Sequence, residues 1–201
     1  MHLSEADIIN GCRQKKHRAE KALFDRYHPV LMGICVRYAK SNAEAEDILL
    51  MGFTRIYKKI NDYSGKGSFE GWMKRIMINV AIDNYRKNRK HYFIEDISDL
   101  TMDDTGVDYI PDNFSLGDII RTIQELPDGY RIVFNLYAIE GYSHKEIAEK
   151  LNISESTSKT QLMKARNQLK KKLLLLDNIP EVQPVTEKKS IVETEKIFYG
   201  K

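Results

Sequence analysis

The feature that most constrains this chain is a spacing. Apolar residues recur at three- and four-residue steps along most of its length, and no alternating apolar–polar run of useful length appears. Ala22, Leu23, Tyr27, Val30, Leu31, Ile34 and Tyr38 form one such series. Ile48, Leu49, Phe53, Ile56, Tyr57 and Ile60 form the next. Each series lays an apolar stripe along one side of a helix, which then has to be covered by another helix. Pro29 has no backbone N–H and predicts an interruption of the first helix. Ser41 followed by Glu44 reads as a capping box for the second. The turn-forming "NDYSGKGS" ends it, and Ser68 can cap a third helix whose Phe69, Trp72, Ile76, Val80 and Ile82 face a core. The expectation is an all-α fold.

A second helical unit starts near Ser115. Ile119, Ile120, Ile123 and Leu126 share a face, "PDG" makes a turn, and Ile132, Val133, Leu136 and Tyr137 mark a helix ending at Gly141. Ser143 with Glu146 forms another capping box. Ile147, Ala148 and Leu151 then pack inward, Asn152 suits a left-handed turn, Ile153 plugs the corner and Ser154 caps the last helix. The chain therefore divides into a first helical domain (1–94), a connector (95–115), a second helical domain (116–177) and a tail (178–201) in which no function is legible.

Charge sharpens that division. The net charge of +3 is too small to name a partner. From Trp72 to Lys90, however, six Lys or Arg stand against one acid, and from Glu155 to Leu176 the ratio is again six to one. Between them, His91–Ile120 holds eight acids and no Lys or Arg. Two basic blocks on amphipathic helices read as polyanion-binding surfaces, and the acidic stretch between them as a solvated connector. The alternative is that each block is merely an exposed helix face.

The stretch from Ser143 to Leu173 has the parts of a helix-turn-helix. Ala148 is small where the helices touch, Ile153 is an apolar corner, and Ser156, Thr157, Lys159, Thr160, Met163 and Lys164 line the outer face of the second helix. A helix fits the major groove, where its first turns meet base edges; Lys170, Lys171 and Lys172 lie further on, where phosphates pass. Upstream, Arg75, Asn79, Asp83, Arg86 and Lys90 form a polar stripe opposite Trp72, Ile76 and Val80. Beside a loop holding Tyr63 and Phe69, this stripe could hold a single strand whose unstacked base enters a pocket. Aromatics at such positions serve equally well as core.

Other chemistries find little support. Cys12 and Cys35 form no CxxC pair or disulfide framework, which suits a reducing cytoplasm. No apolar run approaches the length that spans a bilayer, and "MHLSEADII" lacks the layout of a signal peptide. The five histidines are scattered, and there is no glycine-rich phosphate loop, HExxH or metal-spaced Cys/His set. Asp99, Asp103 and Asp104 sit in a connector that offers no scaffold for a catalytic array. The reading is a non-enzyme without cofactor or metal.

Three pieces then match one family in its own order: "AEDILLMGFTRIYKKI", "GSFEGWMKRIMINVAIDNYRKNRK" and "LPDGYRIVFNLYAIEGYSHKEIAEKLNISESTSKTQLMKARNQL". Over Ala22–Leu173 the chain resembles bacterial RNA polymerase sigma factors of the extracytoplasmic-function (ECF) group, with a Bacteroidetes-like "STSKTQLMKAR". The resemblance implies two promoter readers. The fourth sigma domain would dock its helix-turn-helix on the minus-thirty-five element, with Lys159, Thr160, Met163 and Lys164 at the family's contact positions and Arg166 on phosphate or in structural pairing. The second domain would capture the melting non-template strand of the minus-ten element. Asn79 matches the family's pocket asparagine, Tyr63 to Phe69 its specificity loop, and Lys74, Arg75, Arg86, Lys87 and Lys90 would follow the backbone. Glu46, Asp47 and Arg55 match the contact with core RNA polymerase, at the clamp region of its largest subunit. There the family usually has a Gln-Glu pair where this chain has Leu50 and Met51. The resemblance also implies that the acidic connector threads the polymerase's nascent-RNA path, and many such relatives are held by a membrane-bound anti-sigma factor. The rival is a stand-alone helix-turn-helix regulator with an N-terminal sensing domain.

Overall fold

The computed structural model describes residues 3–88 and 115–176, and every regular element among them is helical. Helices α1 (Glu5–Arg13), α2 (His17–Tyr38), α3 (Asn42–Lys59) and α4 (Phe69–Asn88) form the first unit, with a short 3-10 turn, Ile60–Asp62, after α3. The second unit contains α5 (Leu116–Gln124), α6 (Asp128–Phe134), α7 (His144–Leu151) and α8 (Glu155–Leu176); α6 runs on into a π-helical turn, Asn135–Ile139. Lys90, the acidic connector up to residue 114 and the tail from 178 lie outside the described residues.

Two local expectations need correction. Helix α2 continues unbroken through Pro29. Pro29 and Val30 lie on its exposed side, so the hydrogen bond that the ring removes is lost towards water rather than inside the core. At the start of α3, the Ser41 hydroxyl does accept the Glu44 N–H, at 3.2 Å. The Glu44 carboxylate does not return to Ser41. It accepts the Lys40 N–H and the Asn84 side-chain amide, each at 2.8 Å, and so fastens the front of α3 to α4. The capping box is only half formed because the carboxylate has better-placed donors.

The core of the first unit is filled by Ile8, Leu23, Leu31, Ile48, Ile56, Phe69, Met73 and Met77. Gly52 lets α3 and α4 close up, since a Cβ there would collide with the Met77 thioether. Both cysteines are buried and free. Burial pushes the Cys12 thiol up to about 11 and the Cys35 thiol up to about 12, so neither carries useful thiolate near neutral pH.

The two units pack on each other. Ile132, Val133, Leu136, Ile147, Leu151 and Leu162 join the apolar cluster of the first unit, while Ile123, Leu126, Tyr130, Ala165 and Leu169 form a smaller one between α5, α6 and α8. The seam lies at the C-terminus of α2, where the last carbonyls have no partner within the helix. Three side chains of the second unit supply donors. Gln124 donates to the Val36 carbonyl (3.2 Å), Asn135 to that of Arg37 (2.9 Å) and Arg131 Nε to that of Tyr38 (3.0 Å). Arg131 is buried, and its positive charge suits the negative end of the α2 dipole. Its other nitrogens bond the carbonyls of Gln124 and Leu126 and the Asp128 carboxylate. Arg37 and Glu140 pair across the same seam at 3.0 Å.

Candidate nucleic-acid interface

The helix-turn-helix is built by local chemistry. Ser143 and Glu146 close a reciprocal capping box, with the Ser143 N–H donating to the carboxylate at 2.8 Å. That N–H, and then the Ser143 hydroxyl, hold the Glu146 carboxyl below its ordinary range. Asn152 adopts the left-handed conformation (φ 53°, ψ 55°) at the end of α7. The Ser154 hydroxyl accepts the Thr157 N–H at 3.0 Å and starts α8. It also lies 2.8 Å from the hydroxyls of Ser156 and Thr157, so these two predicted contact residues belong to the cap as well.

Helix α8 buries Ser158, Leu162, Ala165, Leu169 and Leu173, at steps of three and four. The predicted reading face lies on the other side. Ser156, Lys159, Thr160 and Arg166 are exposed, and Thr157, Met163 and Lys164 are half-buried. Two of the cations rest on aromatic rings: Lys164 Nζ is 5.7 Å from the Tyr130 centroid, and Arg166 Cζ is 5.8 Å from that of Tyr137. Lys172 pairs with Glu125 of α5 at 2.5 Å, which ties one of the three distal lysines to its own unit.

The upstream surface is arranged differently. Ser68 caps α4 by accepting the Gly71 N–H at 3.1 Å. Tyr63 and Phe69 are both buried, packed on each other (5.0 Å between centroids) and on Trp72. Their rings therefore frame the loop from inside rather than offer it a stacking platform. The Tyr63 hydroxyl donates to the Gly67 carbonyl at 2.7 Å, and Gly65 and Gly67 turn the exposed loop through positive φ (76° and 81°). Along α4, Arg75, Asn79, Asp83, Arg86 and Lys87 are all exposed. Several of its charges already have partners: Lys74 with Glu70 (2.6 Å), Asp83 with Arg55 of α3 (2.7 Å), and Arg86 with the Lys150 carbonyl of α7. On α3, Glu46, Asp47, Leu50 and Met51 are exposed together; Leu50 is 60% and Met51 46% accessible, high for apolar side chains. Arg55 is half-buried against Asp83. Among the described residues no group of three His, Cys, Asp or Glu could hold a metal ion.

The two basic surfaces fall within two matched family regions. Residues 23–91 match Sigma-70 region 2, and residues 116–169 match Sigma-70 region 4. The chain belongs to the sigma-70 family. Among its relatives, the ECF RNA polymerase sigma factor SigW of Bacillus subtilis is 33% identical over 162 residues, covering 75% of this chain and 87% of the relative. The ECF RNA polymerase sigma-E factor of Haemophilus influenzae is 25% identical over 182 residues, covering 85% and 96%. The sigma factor RpoE of Bartonella quintana, solved in complex with the anti-sigma factor NepR, is 20% identical with a TM-score of 0.46, covering 78% of this chain and 97% of that one.

This ECF sigma factor is thus a transcription initiation factor and not an enzyme. Region 2 begins inside α2 and takes in α3 and α4, so the basic stripe and the exposed α3 face belong to one module. Region 4 holds the helix-turn-helix. Among the described residues no helix is long and apolar enough to cross a membrane.

Sequence reasoning missed the seam residues Gln124, Arg131 and Asn135, and the pair formed by His144 and Ser158. A signal existed for the first group: in "YRIVFNLY", an Arg and an Asn interrupt an apolar run. Polar groups in such a place are buried only with partners.

Proposed function

We propose that this sigma factor directs core RNA polymerase to promoters through two spatially separable readers. The observation that carries the proposal is the pairing, in one chain, of an exposed α8 face bearing Lys159 and Thr160 with an exposed α4 stripe bearing Arg75, Asn79 and Lys87. The α8 face reads paired bases of the minus-thirty-five element in the major groove, with Ser156, Thr157, Met163 and Lys164 at its edges. The α4 stripe and the loop from Tyr63 to Phe69 take the non-template strand of the minus-ten element as it unpairs, with Asn79 beside the flipped base. The α3 face of Glu46, Asp47, Leu50 and Met51 docks on the clamp region of the polymerase's largest subunit, and Arg55 fixes that face to α4. The chain works in the cytoplasm, where polymerase and promoter meet, with residues 1–94, 95–115 and 116–177 as first reader, connector and second reader.

The closed seam has to open for this. The two promoter elements stand about 25 base pairs apart, which at roughly 3.4 Å per step is about 85 Å. In the closed arrangement α4 touches α7 through Arg86. Residues 89–114 can reach at most about 90 Å, enough for the readers to part. Opening also frees Arg86 for the single strand.

The test is reconstitution. Core polymerase with this protein should give promoter-specific transcripts from genomic DNA, and no specific transcript from any fragment would overturn the reading.

A further inference from the structure

A column of side chains joins three elements of the second unit. The π-helical turn is closed by the Glu140 N–H donating to the Asn135 carbonyl at 3.0 Å, a hydrogen bond that spans one residue more than that of an α-helix. Tyr137, in the middle of this turn, lies against the His144 imidazole, with centroids 4.5 Å apart and planes within 23°. Arg166 of α8 reaches the same ring. On its other side, His144 Nδ1 sits 2.9 Å from the hydroxyl of Ser158, which is fully buried in α8. Nε2 has no hydrogen-bond partner among the described residues.

This geometry has more consequence than a helix-packing tie. The Ser158 hydroxyl can serve Nδ1 in either direction: when it donates, the proton of a neutral ring sits on Nε2, and when the ring is protonated it accepts from Nδ1, so in both states Nε2 is a donor without a protein partner. In a helix-turn-helix the first helix crosses the DNA backbone while the second enters the major groove. The first turn of α7, with His144, then stands by a phosphate whenever Lys159 and Thr160 meet base edges. Arg166 flanks it on the Tyr137 ring. Resting on the reading of α8 given above, we propose that His144 is a phosphate contact of the upstream element, oriented by Ser158 and Tyr137 and acting beside Arg166.

The electrostatics give the contact a signature. Burial of the ring, with Lys159 and Arg166 nearby, holds the imidazole below its ordinary value, against the opposing pull of Glu155. Free protein therefore carries it neutral at pH 7. A docked phosphate offsets the two cations and adds an anion, which raises the pKa in the complex. The complex then binds more protons than the free partners. Affinity should rise as pH falls through the bound-state value and level off below the free-state value.

The experiment uses the full chain with core polymerase and the genomic fragment that yields the strongest run-off transcript. Its dissociation constant is measured at pH 6.0, 7.0 and 8.0 at fixed ionic strength. Wild type should tighten on order of tenfold more between pH 8.0 and 6.0 than His144→Gln, since full uptake of one proton is worth about tenfold per pH unit. Tyr137→Leu should lose the same increment, whereas Tyr137→Phe, which keeps the ring, should retain it. At pH 6.0 the salt slope of His144→Gln should be smaller by about one. If His144→Gln weakens binding equally at all pH values with an unchanged salt slope, the residue only packs and the proposal is overturned. Should that variant not fold, imidazole titration of wild type by NMR decides: a higher pKa on the fragment upholds the contact, and an unchanged one overturns it. Absence of any run-off transcript would defeat the wider reading, whereas a transcript with a flat pH difference defeats this contact alone.

Discussion

The two basic surfaces differ in what holds their charges: partners within the same unit on α8, and partly the other unit on α4. On α8, which Ser154 caps, Lys159 and Thr160 are exposed, while Lys164, Arg166 and Lys172 rest on Tyr130, Tyr137 and Glu125 of the same unit. On α4, the comparable face is partly engaged: Lys74 holds Glu70, Asp83 holds Arg55, and Arg86 holds the other unit. A duplex is a rigid target that a rigid helix can meet directly. A single strand appears only after melting, and a surface waiting for it gains from internal partners that keep it ordered meanwhile. Such exposed pairs are weak, so a phosphate replaces them at little cost. On the two-reader proposal, the helix assigned to paired DNA draws its support from its own unit, while the one assigned to separated strand gives up a contact with the other unit, through Arg86, before it binds.

The largest effect is expected at the seam. Arg131→Met removes the buried guanidinium that serves the Tyr38, Gln124 and Leu126 carbonyls and Asp128. Removing one partner of such a buried set should cost about 3–5 kcal/mol in urea unfolding; a loss under 1 kcal/mol would show that the seam is not held there. Next, Lys159→Ala or Thr160→Ala should cost about 1–3 kcal/mol of discrimination for the upstream element with polymerase binding intact. Equal loss on scrambled elements would reduce these residues to phosphate contacts. Asn79→Ala should spare docking but slow opening by on the order of tenfold, or about 1.4 kcal/mol; unchanged permanganate reactivity of the melted thymines would count against its pocket role. Arg37→Ala, which removes one half-screened pair, should loosen the closed form by about 1 kcal/mol or less. Small-angle scattering of the free protein would register this as a larger radius.

The smallest effect concerns acid. The folded-state pKa of Glu146 lies below its unfolded value because the Ser143 N–H and hydroxyl bond the carboxylate. Its contribution to α7 is complete above about pH 4.3 and is lost as pH falls through the folded value. Glu146→Gln should remove that step from an acid-unfolding curve while leaving the rest of the curve in place.

What could be read from the sequence was local. Both caps of the helix-turn-helix and the left-handed Asn152 follow from residues within four positions of each other, and they stand where expected; of the outer face expected on α8, Ser156, Lys159 and Thr160 are exposed and Thr157, Met163 and Lys164 half-buried. Pro29 misled because helix breaking was judged without knowing that its side of α2 faces water. Glu44 misled because its better partners, Lys40 and Asn84, could not be weighed without the packing of α4. Tyr63 and Phe69 satisfied core and pocket equally well as a pattern, and only burial separates the two uses. The seam was illegible for the most basic reason. Gln124, Arg131 and Asn135 bond carbonyls some ninety positions away, and a carbonyl leaves no mark in the sequence.

Those three carbonyls have one more consequence. All three donors belong to the second unit, so the opening proposed above would hand three bare acceptors to water and closing would take them back. Water can replace the donors at those three carbonyls, but not the apolar contacts that Ile132, Val133 and Leu136 make with the first unit, so burial rather than hydrogen bonding sets what parting costs.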